Sequence, residues 1–286
     1  MKKVIASTTT RDLLKQYNFK LSKSLGQNFL IDEEVLEKII TGSEVTKDDC
    51  VLEIGPGMGA LTQKLCEAAG SVLAVELDKR LIPILSATFS GHENFRLIND
   101  DILKINLKET LKENFGEKPA KVVANLPYYI TTPIIMKLLE ERLNLKSITI
   151  MVQKEVGDRL KASPGGKDYG ALSVAVQYYC RPMQITLVPP DSFIPQPEVE
   201  STVIRLDILE EPPVEVEDER LFFKAVKAAF GQRRKTLLNA LSSGDLGIDK
   251  DKSRQMLEEL GIDERRRGET LSLQEFANIA NKLNKI

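Results

Sequence analysis

The stretch VLEIGPGMGALTQKL (residues 51–65) passes from an apolar, β-branched segment through three glycines into a helical pattern. A strand, a glycine turn and a helix in this order present bare backbone to a ligand at the edge of a parallel α/β sheet. Gly55, Gly57 and Ala60 satisfy the G-x-G-x-x-G/A spacing, in which glycine permits the tight turn and the close approach. The stretch predicts a doubly wound α/β fold.

Strands and helices alternate on both sides of this turn. Strands are predicted at CVLEIG, SVLAVEL, FRLIND, KVVANL and SITIMVQ, with helices at GALTQKLCEAAG, KRLIPILSATF, PIIMKLLEER and KEVGDRLKA. A helix at YGALSVAVQYYC and two strands, MQITLVP and STVIRLDIL, follow. The alternation predicts a parallel sheet with helices on both faces and an antiparallel ending.

The pattern changes at LEEPPVEVEDE (residues 209–219), where two prolines stand among acidic residues and indicate a linker. Helical signals dominate beyond it, at RLFFKAVKAAFGQRRKTLLNAL (220–241), DKSRQMLEELG (251–261) and SLQEFANIANKLN (272–284). We therefore expect two domains: an α/β domain with an N-terminal extension over residues 1–207, and a small helical domain over residues 208–286.

The composition is that of an ordinary soluble globular protein, with 42% hydrophobic and 29% charged residues. A net charge of -2 argues mildly against a nucleic-acid partner, although an acidic protein can carry local basic patches. Three scattered cysteines without a CxxC pair disfavour a zinc site and suggest a reducing compartment. No apolar run has the length of a membrane span, so we expect a cytoplasmic protein that contacts no membrane.

Two acidic positions end the next two strands. Glu76 lies about 20 residues beyond the glycines, where a carboxylate can accept from ribose hydroxyls. Asp101 can accept from an adenine amino group, with Asp100 as a competing candidate, and a turn or helix N-cap role explains an Asp there equally well. With the glycine turn, these acids suit NAD or S-adenosylmethionine.

The segment NLPYYITTP (residues 125–133) leaves its strand at the same edge of the sheet. Asn125 offers a carboxamide oxygen, while Pro127 holds Leu126 extended and fixes the direction of its own carbonyl. Two acceptors suit an exocyclic amine, which has two hydrogens to donate. We interpret Asn125 and the Pro127 carbonyl as holding an adenine N6 that attacks a sulfonium methyl group in line.

Two tyrosines follow in this segment. Tyr128 offers a flat face for a base, worth roughly 1–3 kcal/mol per base. Tyr129 we assign to the core. The alternative interpretation of the whole segment is a strand-terminating turn with core tyrosines.

Eight motifs, in order, resemble those of the S-adenosylmethionine-dependent rRNA adenine N6,N6-dimethyltransferases, most closely the bacterial type that acts on small-subunit rRNA. The motifs are KSLGQNFL (23–30), EIGPGMG (53–59), VELD (75–78), NDDIL (99–103), NLPYYITTPII (125–135), MVQKEVGDRL (151–160), FIPQPEVESTV (193–203) and FGQRRKTLLNAL (230–241). The resemblance covers nearly the whole chain. It implies a Rossmann-like class I methyltransferase fold, α/β with a seven-stranded, mostly parallel sheet, and a small all-helical C-terminal domain.

The resemblance also implies roles for the matching residues. Those that would bind S-adenosylmethionine are Asn28, Leu30, Gly55, Gly57, Glu76, Asp101 and Asn125. Those that would act on the target base are Asn125, Leu126, Pro127, Tyr128 and Phe193. Phe193 would pack on the face of the flipped base opposite Tyr128, whereas by itself it reads as a core residue in a rigid turn. No metal is implied.

The implied substrate is a pair of adjacent adenosines in the hairpin near the 3′ end of 16S rRNA, each dimethylated within a pre-30S particle, with S-adenosylhomocysteine as the other product. A target base must leave its stack, which costs a few kcal/mol and least in a loop. A pI near 5.8 fits an enzyme that needs an assembled particle rather than naked RNA. We expect a monomer.

Basic clusters are the candidate RNA contacts. The family uses the region of Arg233, Arg234 and Lys235 on the ribosome, so we assign RNA-backbone contact to these residues. The run ERRRG (264–268), Lys20 and Lys23 are weaker candidates, since charged runs are usually solvated surface.

Other functions compete with this interpretation. Methylation of large-subunit rRNA, as in antibiotic-resistance enzymes, or of DNA adenine uses the same catalytic motifs. An NAD-dependent oxidoreductase fits the glycine spacing but does not explain QNFL or NLPY. A non-catalytic assembly factor could use the fold for docking on the ribosome.

Overall fold

The computed structural model describes residues 6–22, 26–232 and 234–286. The chain divides into two compact units, one of Met1–Gly157 with Pro182–Ile208 and one of Asp158–Arg181 with Leu209–Ile286. Residues 158–181, which we expected in the first domain, thus group with the C-terminal helices. The functional division at residue 207 stays a prediction.

A seven-stranded sheet carries the first unit. The strands of the described residues are β1 (Phe29–Leu30), β2 (Cys50–Ile54), β3 (Ser71–Glu76), β4 (Phe95–Asn99), β5 (Ala120–Asn125), β6 (Leu145–Gln153), β7 (Cys180–Val188), β8 (Phe193–Ile194) and β9 (Ser201–Ile208). The large sheet has the order β4-β3-β2-β5-β6-β9-β7, with parallel pairs from β4 to β6 and β9 antiparallel to β6. The predicted Rossmann-like α/β fold with a mostly parallel sheet is confirmed.

The central strands are buried along their length. Leu52 of β2 pairs with Leu73 of β3 and Val122 of β5, and all three side chains are fully buried. Such continuous apolar strands are expected where helices cover both faces of a sheet. Because β3 and β5 flank β2 on opposite sides, the carboxyl ends of the three strands open onto one crevice.

Twelve helices accompany the strands over the described ranges. They are α1 (Ala6–Gln16), α2 (Glu33–Ser43), α3 (Ala60–Ala68), α4 (Ile82–Thr88), α5 (Leu107–Phe115), α6 (Thr131–Glu140), α7 (Lys154–Leu160), α8 (Ala171–Tyr179), α9 (Glu219–Gly231), α10 (Leu237–Ser242), α11 (Lys250–Glu259) and α12 (Leu273–Leu283). α5 was not predicted; Asn106 begins it by accepting from the Glu109 N–H at 3.2 Å. Within these ranges, no helix has the length and apolar character needed to cross a membrane.

The second unit is held by an aromatic cluster. Tyr178 of α8 stacks on Phe222 of α9 with ring centroids 4.8 Å apart, and Phe223 meets Tyr178 edge-on at 5.4 Å. The helical segment predicted over residues 220–241 is two helices, since α9 ends at Gly231 and α10 begins at Leu237.

A short antiparallel pair, β1 with β8, joins two distant segments of the first unit. Phe29 pairs with Ile194 and Leu30 with Phe193. The Ile31 N–H continues the pairing by donating to the Ser192 carbonyl at 2.9 Å. We call residues 26–32 the strap.

Candidate active site

The turn between β2 and α3 is built on left-handed glycines. Gly55 and Gly57 have φ values of +68° and +58°, which residues with a Cβ rarely adopt. A Cβ on Gly57 would lie 2.9 Å from the Phe29 ring of the strap. The Gly55 N–H donates to the Val75 carbonyl at 2.9 Å and ties the turn to β3. The turn therefore presents backbone without side chains at the carboxyl end of β2.

Glu76 ends β3 beside this turn and is buried. Its Oε2 accepts from the Gly57 N–H at 3.3 Å, and its Oε1 accepts from the Asp78 N–H at 2.7 Å. Burial raises the pKa of Glu76, and these backbone donors offset part of that rise. Each carboxylate oxygen keeps a further lone pair, so Glu76 can still accept from a ligand hydroxyl.

Glu53, within β2, is a site residue that we did not single out from the sequence. Its side chain is 1% exposed, and its Oε2 accepts from the Thr62 hydroxyl at 2.7 Å. Its Oε1 has no hydrogen-bond partner among the described residues, and burial raises the pKa of this carboxyl to about 8. A lone acidic residue in the otherwise apolar VLEIG was the signal that could have revealed it.

Asp100 and Asp101 form the turn after β4. Asp101 Oδ1 accepts from the Leu103 N–H at 3.0 Å, and Asp100 Oδ1 accepts from the Asp101 N–H at 2.7 Å. Both residues also line the cleft. The turn role suggested for Asp101 is therefore present, and contact with an adenine amino group stays a prediction.

Asn125 is the last residue of β5. Its Nδ2 donates to the Asn28 carbonyl of the strap at 3.0 Å. The Leu126 N–H donates to the Met151 carbonyl at 3.2 Å, and the Leu126 side chain is buried. These bonds fix the backbone and the carboxamide where β5 meets the crevice.

The Pro127 carbonyl differs from our expectation. It accepts from the Ile130 N–H at 3.2 Å and from the Thr131 hydroxyl at 3.1 Å, which occupy its two lone pairs. These bonds close the 3₁₀ turn Tyr128–Ile130 and begin α6. The interpretation that this carbonyl receives the target amine is therefore wrong for this conformation.

The two tyrosines point in different directions, because the 3₁₀ turn rotates successive side chains. Tyr128 is half-buried and shares a 2.6 Å hydrogen bond with the Ser201 hydroxyl, and burial raises the pKa of Tyr128. Tyr129 is 54% exposed and lines the cleft. Its assignment to the core was wrong.

Phe193 is 1% exposed and packs in the hydrophobic core near Phe29 and Leu30. The structure thus has Phe193 in the core, as its sequence context alone suggests. Its role against a flipped base stays a prediction.

One cleft collects most of the predicted residues. The predicted site residues that line it are Asn28, Leu30, Gly55, Gly57, Glu76, Asp101, Asn125 and Pro127. Leu126, Tyr128 and Phe193 are not among its lining residues. Its empty space, including the open mouth, is about 950 Å³.

The cleft's chemistry suits a cationic ligand. Glu53, Glu76 and Asp101 bring carboxyl groups to it, and Glu53 Oε1 is a buried oxygen without a hydrogen-bond partner among the described residues. S-adenosylmethionine carries an ammonium and a sulfonium group, so the residues present fit it. No group of three or more His, Cys, Asp or Glu side chains that could hold a metal occurs in the part of the chain described.

The basic clusters lie in the second unit. Arg234 and Lys235 are exposed in the turn between α9 and α10, whereas Arg233 and Lys23 lie outside the described residues. Arg265 donates to Asp263 through Nε and Nη2, both at 3.0 Å, and Arg266 pairs with Glu275. Two arginines of ERRRG are therefore tied to carboxylates.

Sequence comparisons agree on one family. The family described as ribosomal RNA adenine dimethylase matches residues 18–285. A protein of Alkaliphilus oremlandii named ribosomal RNA small subunit methyltransferase A is 57% identical over 285 residues, covering 100% of this chain and 99% of that protein. The protein of the same name from Clostridioides difficile is 51% identical over 285 residues, covering 99% and 98%.

Solved structures give the same architecture. A dimethyladenosine transferase from Plasmodium falciparum superposes with a TM-score of 0.75 at 26% identity, covering 90% of this chain and 97% of that one. The 23S rRNA methyltransferase ErmE superposes with a TM-score of 0.68 at 25% identity, covering 90% and 100%.

Proposed function

This chain belongs to the ribosomal RNA adenine dimethylase family, and we propose that it methylates N6 of two adjacent adenosines in the 3′-terminal hairpin of 16S rRNA. Each would become N6,N6-dimethyladenosine. The relatives named for the small subunit support this target. The observation that carries the proposal is the Asn125 carboxamide, anchored through Nδ2 in the same cleft as Glu76.

S-adenosylmethionine would supply the methyl group: its carbon–sulfur bond would break as the carbon–nitrogen bond forms, leaving S-adenosylhomocysteine, and the target nitrogen would release a proton to water. Glu76 would accept from the ribose hydroxyls and Asp101 from the adenine amine. Gly55 and Gly57 let backbone approach the methionine moiety. A bound ammonium group would favour the ionised form of Glu53, whose Oε1 would then accept from it and gain the donor it otherwise lacks.

Asn125 acts on the target amine. With Nδ2 donating to the strap, its Oδ1 is the end that accepts an N6–H. The Leu126 carbonyl, held extended ahead of Pro127, is the second acceptor that we propose in place of the Pro127 carbonyl. Two acceptors draw electron density onto a nitrogen whose lone pair is otherwise delocalised into the ring.

Positioning supplies most of the acceleration in this account. Holding the nitrogen in line with the methyl carbon and sulfur can lower the activation barrier by up to about 7–11 kcal/mol, because binding has already removed the reactants' translational and rotational entropy. The fixed dipoles of Asn125 and Leu126 also stabilise the positive charge as it moves to nitrogen. Tyr128 would stack on the target base, and Phe193 would cover its other face once a base enters.

The substrate is proposed to be the rRNA inside a pre-30S particle, reached by a monomer in the cytoplasm. A net charge of -2 gives weak attraction to free RNA, so docking must depend on shape and on local patches. Arg234 and Lys235, with Arg233 beside them in sequence, would contact the RNA backbone.

The direct test is mass spectrometry of rRNA fragments after incubation with S-adenosylmethionine and undermethylated 30S particles. We expect two adjacent dimethyladenosines in the 3′-terminal fragment. Methylation of large-subunit RNA instead would replace the proposed substrate. Calorimetry with S-adenosylmethionine and with NAD tests the oxidoreductase alternative. Tight NAD binding without S-adenosylmethionine binding would overturn the proposal.

A further inference from the structure

The strap contacts the segments that build the cleft. A Cβ on Gly26 would lie 3.1 Å from Tyr129 Cδ1, so the strap backbone packs against this tyrosine of the NLPYYITTP segment. Phe29 lies against Gly57 in the same way. A small shift of the strap would therefore displace residues on both sides of the cleft.

One side-chain hydrogen bond ties the strap to Asp78, two residues beyond β3, through Gln27, which itself lines the cleft. Gln27 Nε2 donates to Asp78 Oδ2 at 2.9 Å, and Gln27 Oε1 accepts from the Ser22 N–H at 2.9 Å. Gln27 is thus fixed at both ends of its amide. None of the functions above uses this residue.

Asp78 is a rigid acceptor. Arg80 donates to it through Nε at 2.9 Å and Nη2 at 2.6 Å, and the Asp78 N–H donates to Glu76 Oε1. The Arg80 guanidinium lowers the pKa of Asp78, which keeps the carboxylate charged. Arg80 in turn lies over the Phe19 ring, 4.7 Å from its centroid. Asp78 is therefore held in place two residues beyond Glu76, the residue that ends β3.

The residue after Gln27 sets the orientation of Asn125. The Asn28 carbonyl can only accept, so the Asn125 amide must turn its nitrogen toward the strap. That leaves Oδ1 for the target amine. A displaced strap would remove this constraint and let the carboxamide rotate.

We propose that Gln27 and Asp78 are positioning residues for methyl transfer, whose hydrogen bond fixes the strap so that the Asn28 carbonyl orients the Asn125 carboxamide. This inference rests on the proposed function. Both residues act through Asn125 and touch neither the target base nor the methyl group. Their bond also links the Glu76 side of the cleft to the catalytic side.

The variant Gln27→Glu tests this directly, because it keeps the side-chain size, removes the donor and brings a like charge to Asp78. The matched control is Gln63→Glu, since Gln63 Nε2 donates to Glu67 Oε1 at 2.8 Å on the exposed face of α3. The double variant Gln27→Glu with Asp78→Asn restores the bond with donor and acceptor exchanged.

Two readouts are compared: hydrogen exchange of the strap amides, and the single-turnover methyl-transfer rate on 30S particles at saturating S-adenosylmethionine. We expect Gln27→Glu to speed strap exchange and to lower the rate about tenfold or more, since small misplacements can cost up to about 100-fold. The double variant should recover most of both, and Gln63→Glu should match the wild type.

Strap exchange unchanged in Gln27→Glu would overturn the proposal. So would faster exchange with an unchanged rate at saturation, or a double variant no better than Gln27→Glu. An inactive wild type would overturn the proposed function instead, and the exchange data would still decide whether this bond holds the strap.

Discussion

The side-chain amide of Asn125 donates to the backbone carbonyl of Asn28 at 3.0 Å, although 97 positions separate the two residues in the chain. The bond joins the end of β5 to the strap, and both residues line the same cleft. It leaves the Asn125 oxygen as the acceptor that faces an incoming amine.

Gly57→Ala should weaken S-adenosylmethionine binding about tenfold or more and lower the melting temperature. The left-handed backbone costs roughly 1–2 kcal/mol with a Cβ, and the new methyl would also meet the Phe29 ring at 2.9 Å. Gly261→Ala is the control, because Gly261 has φ +66° with nothing within 4 Å of a Cβ. Calorimetry should show unchanged cofactor binding for that control; equal effects of both variants would contradict the account.

Glu53→Gln should change how stability depends on pH. The pKa of Glu53 is raised by burial from 4.5 to about 8, so between these values the folded protein holds a proton that the unfolded chain has lost. Its contribution to stability is full below about pH 4.5 and is lost as pH rises toward 8, with a slope of up to about 1.4 kcal/mol per pH unit.

Urea unfolding at several pH values measures this effect of Glu53. The wild type should lose stability across the window more steeply than Glu53→Gln, whose side chain does not titrate. Parallel curves for the two proteins would show that Glu53 is already ionised in the folded state.

Tyr128→Leu should lower the methyl-transfer rate about 5- to 100-fold through lost stacking, while Tyr128→Phe should stay near the wild type. The phenylalanine keeps the ring and loses only the hydrogen bond with Ser201. Tyr129→Leu is measured beside them, because Tyr129 also lines the cleft. A large loss in Tyr129→Leu with none in Tyr128→Leu would move the stacking role to Tyr129.

Replacing Arg234 and Lys235 with alanine should weaken binding to 30S particles and reduce the slope of log affinity against log salt by about 1–2. Arg265→Ala should do less, because that guanidinium already pairs with Asp263 at 3.0 Å. Filter binding at several salt concentrations measures both. An unchanged slope in the double variant would remove this cluster from the RNA interface.

The sequence predicts the central α/β unit well because local signals and burial agree there. The apolar run of β2, the glycine turn and the start of α3 each have a local cause, and the cleft follows from parallel strands ending together. Asn125 and Glu76 could be assigned to that cleft because each ends a strand.

Other features depend on contacts that no local pattern encodes. The β1–β8 pair is two residues long on each side and joins Leu30 to Phe193 across the chain. The direction of the Tyr129 side chain follows from a 3₁₀ turn. The Pro127 carbonyl is not free for a ligand, because the Thr131 hydroxyl donates to it. The orphan oxygen of Glu53 depends on Thr62 reaching only one side of the carboxyl.

The central claim is that the Asn125 carboxamide holds the target amine for methyl transfer. It is tested most directly by Asn125→Ala in the mass-spectrometric assay on undermethylated 30S particles. The matched control is Asn144→Ala, since Asn144 Nδ2 likewise donates to a backbone carbonyl, that of Glu117 at 3.0 Å, at the start of β6. We expect Asn125→Ala to lose about 100-fold or more in rate while still binding particles, with Asn144→Ala near the wild type. Full dimethylation of both adenosines by Asn125→Ala at the wild-type rate would contradict the account.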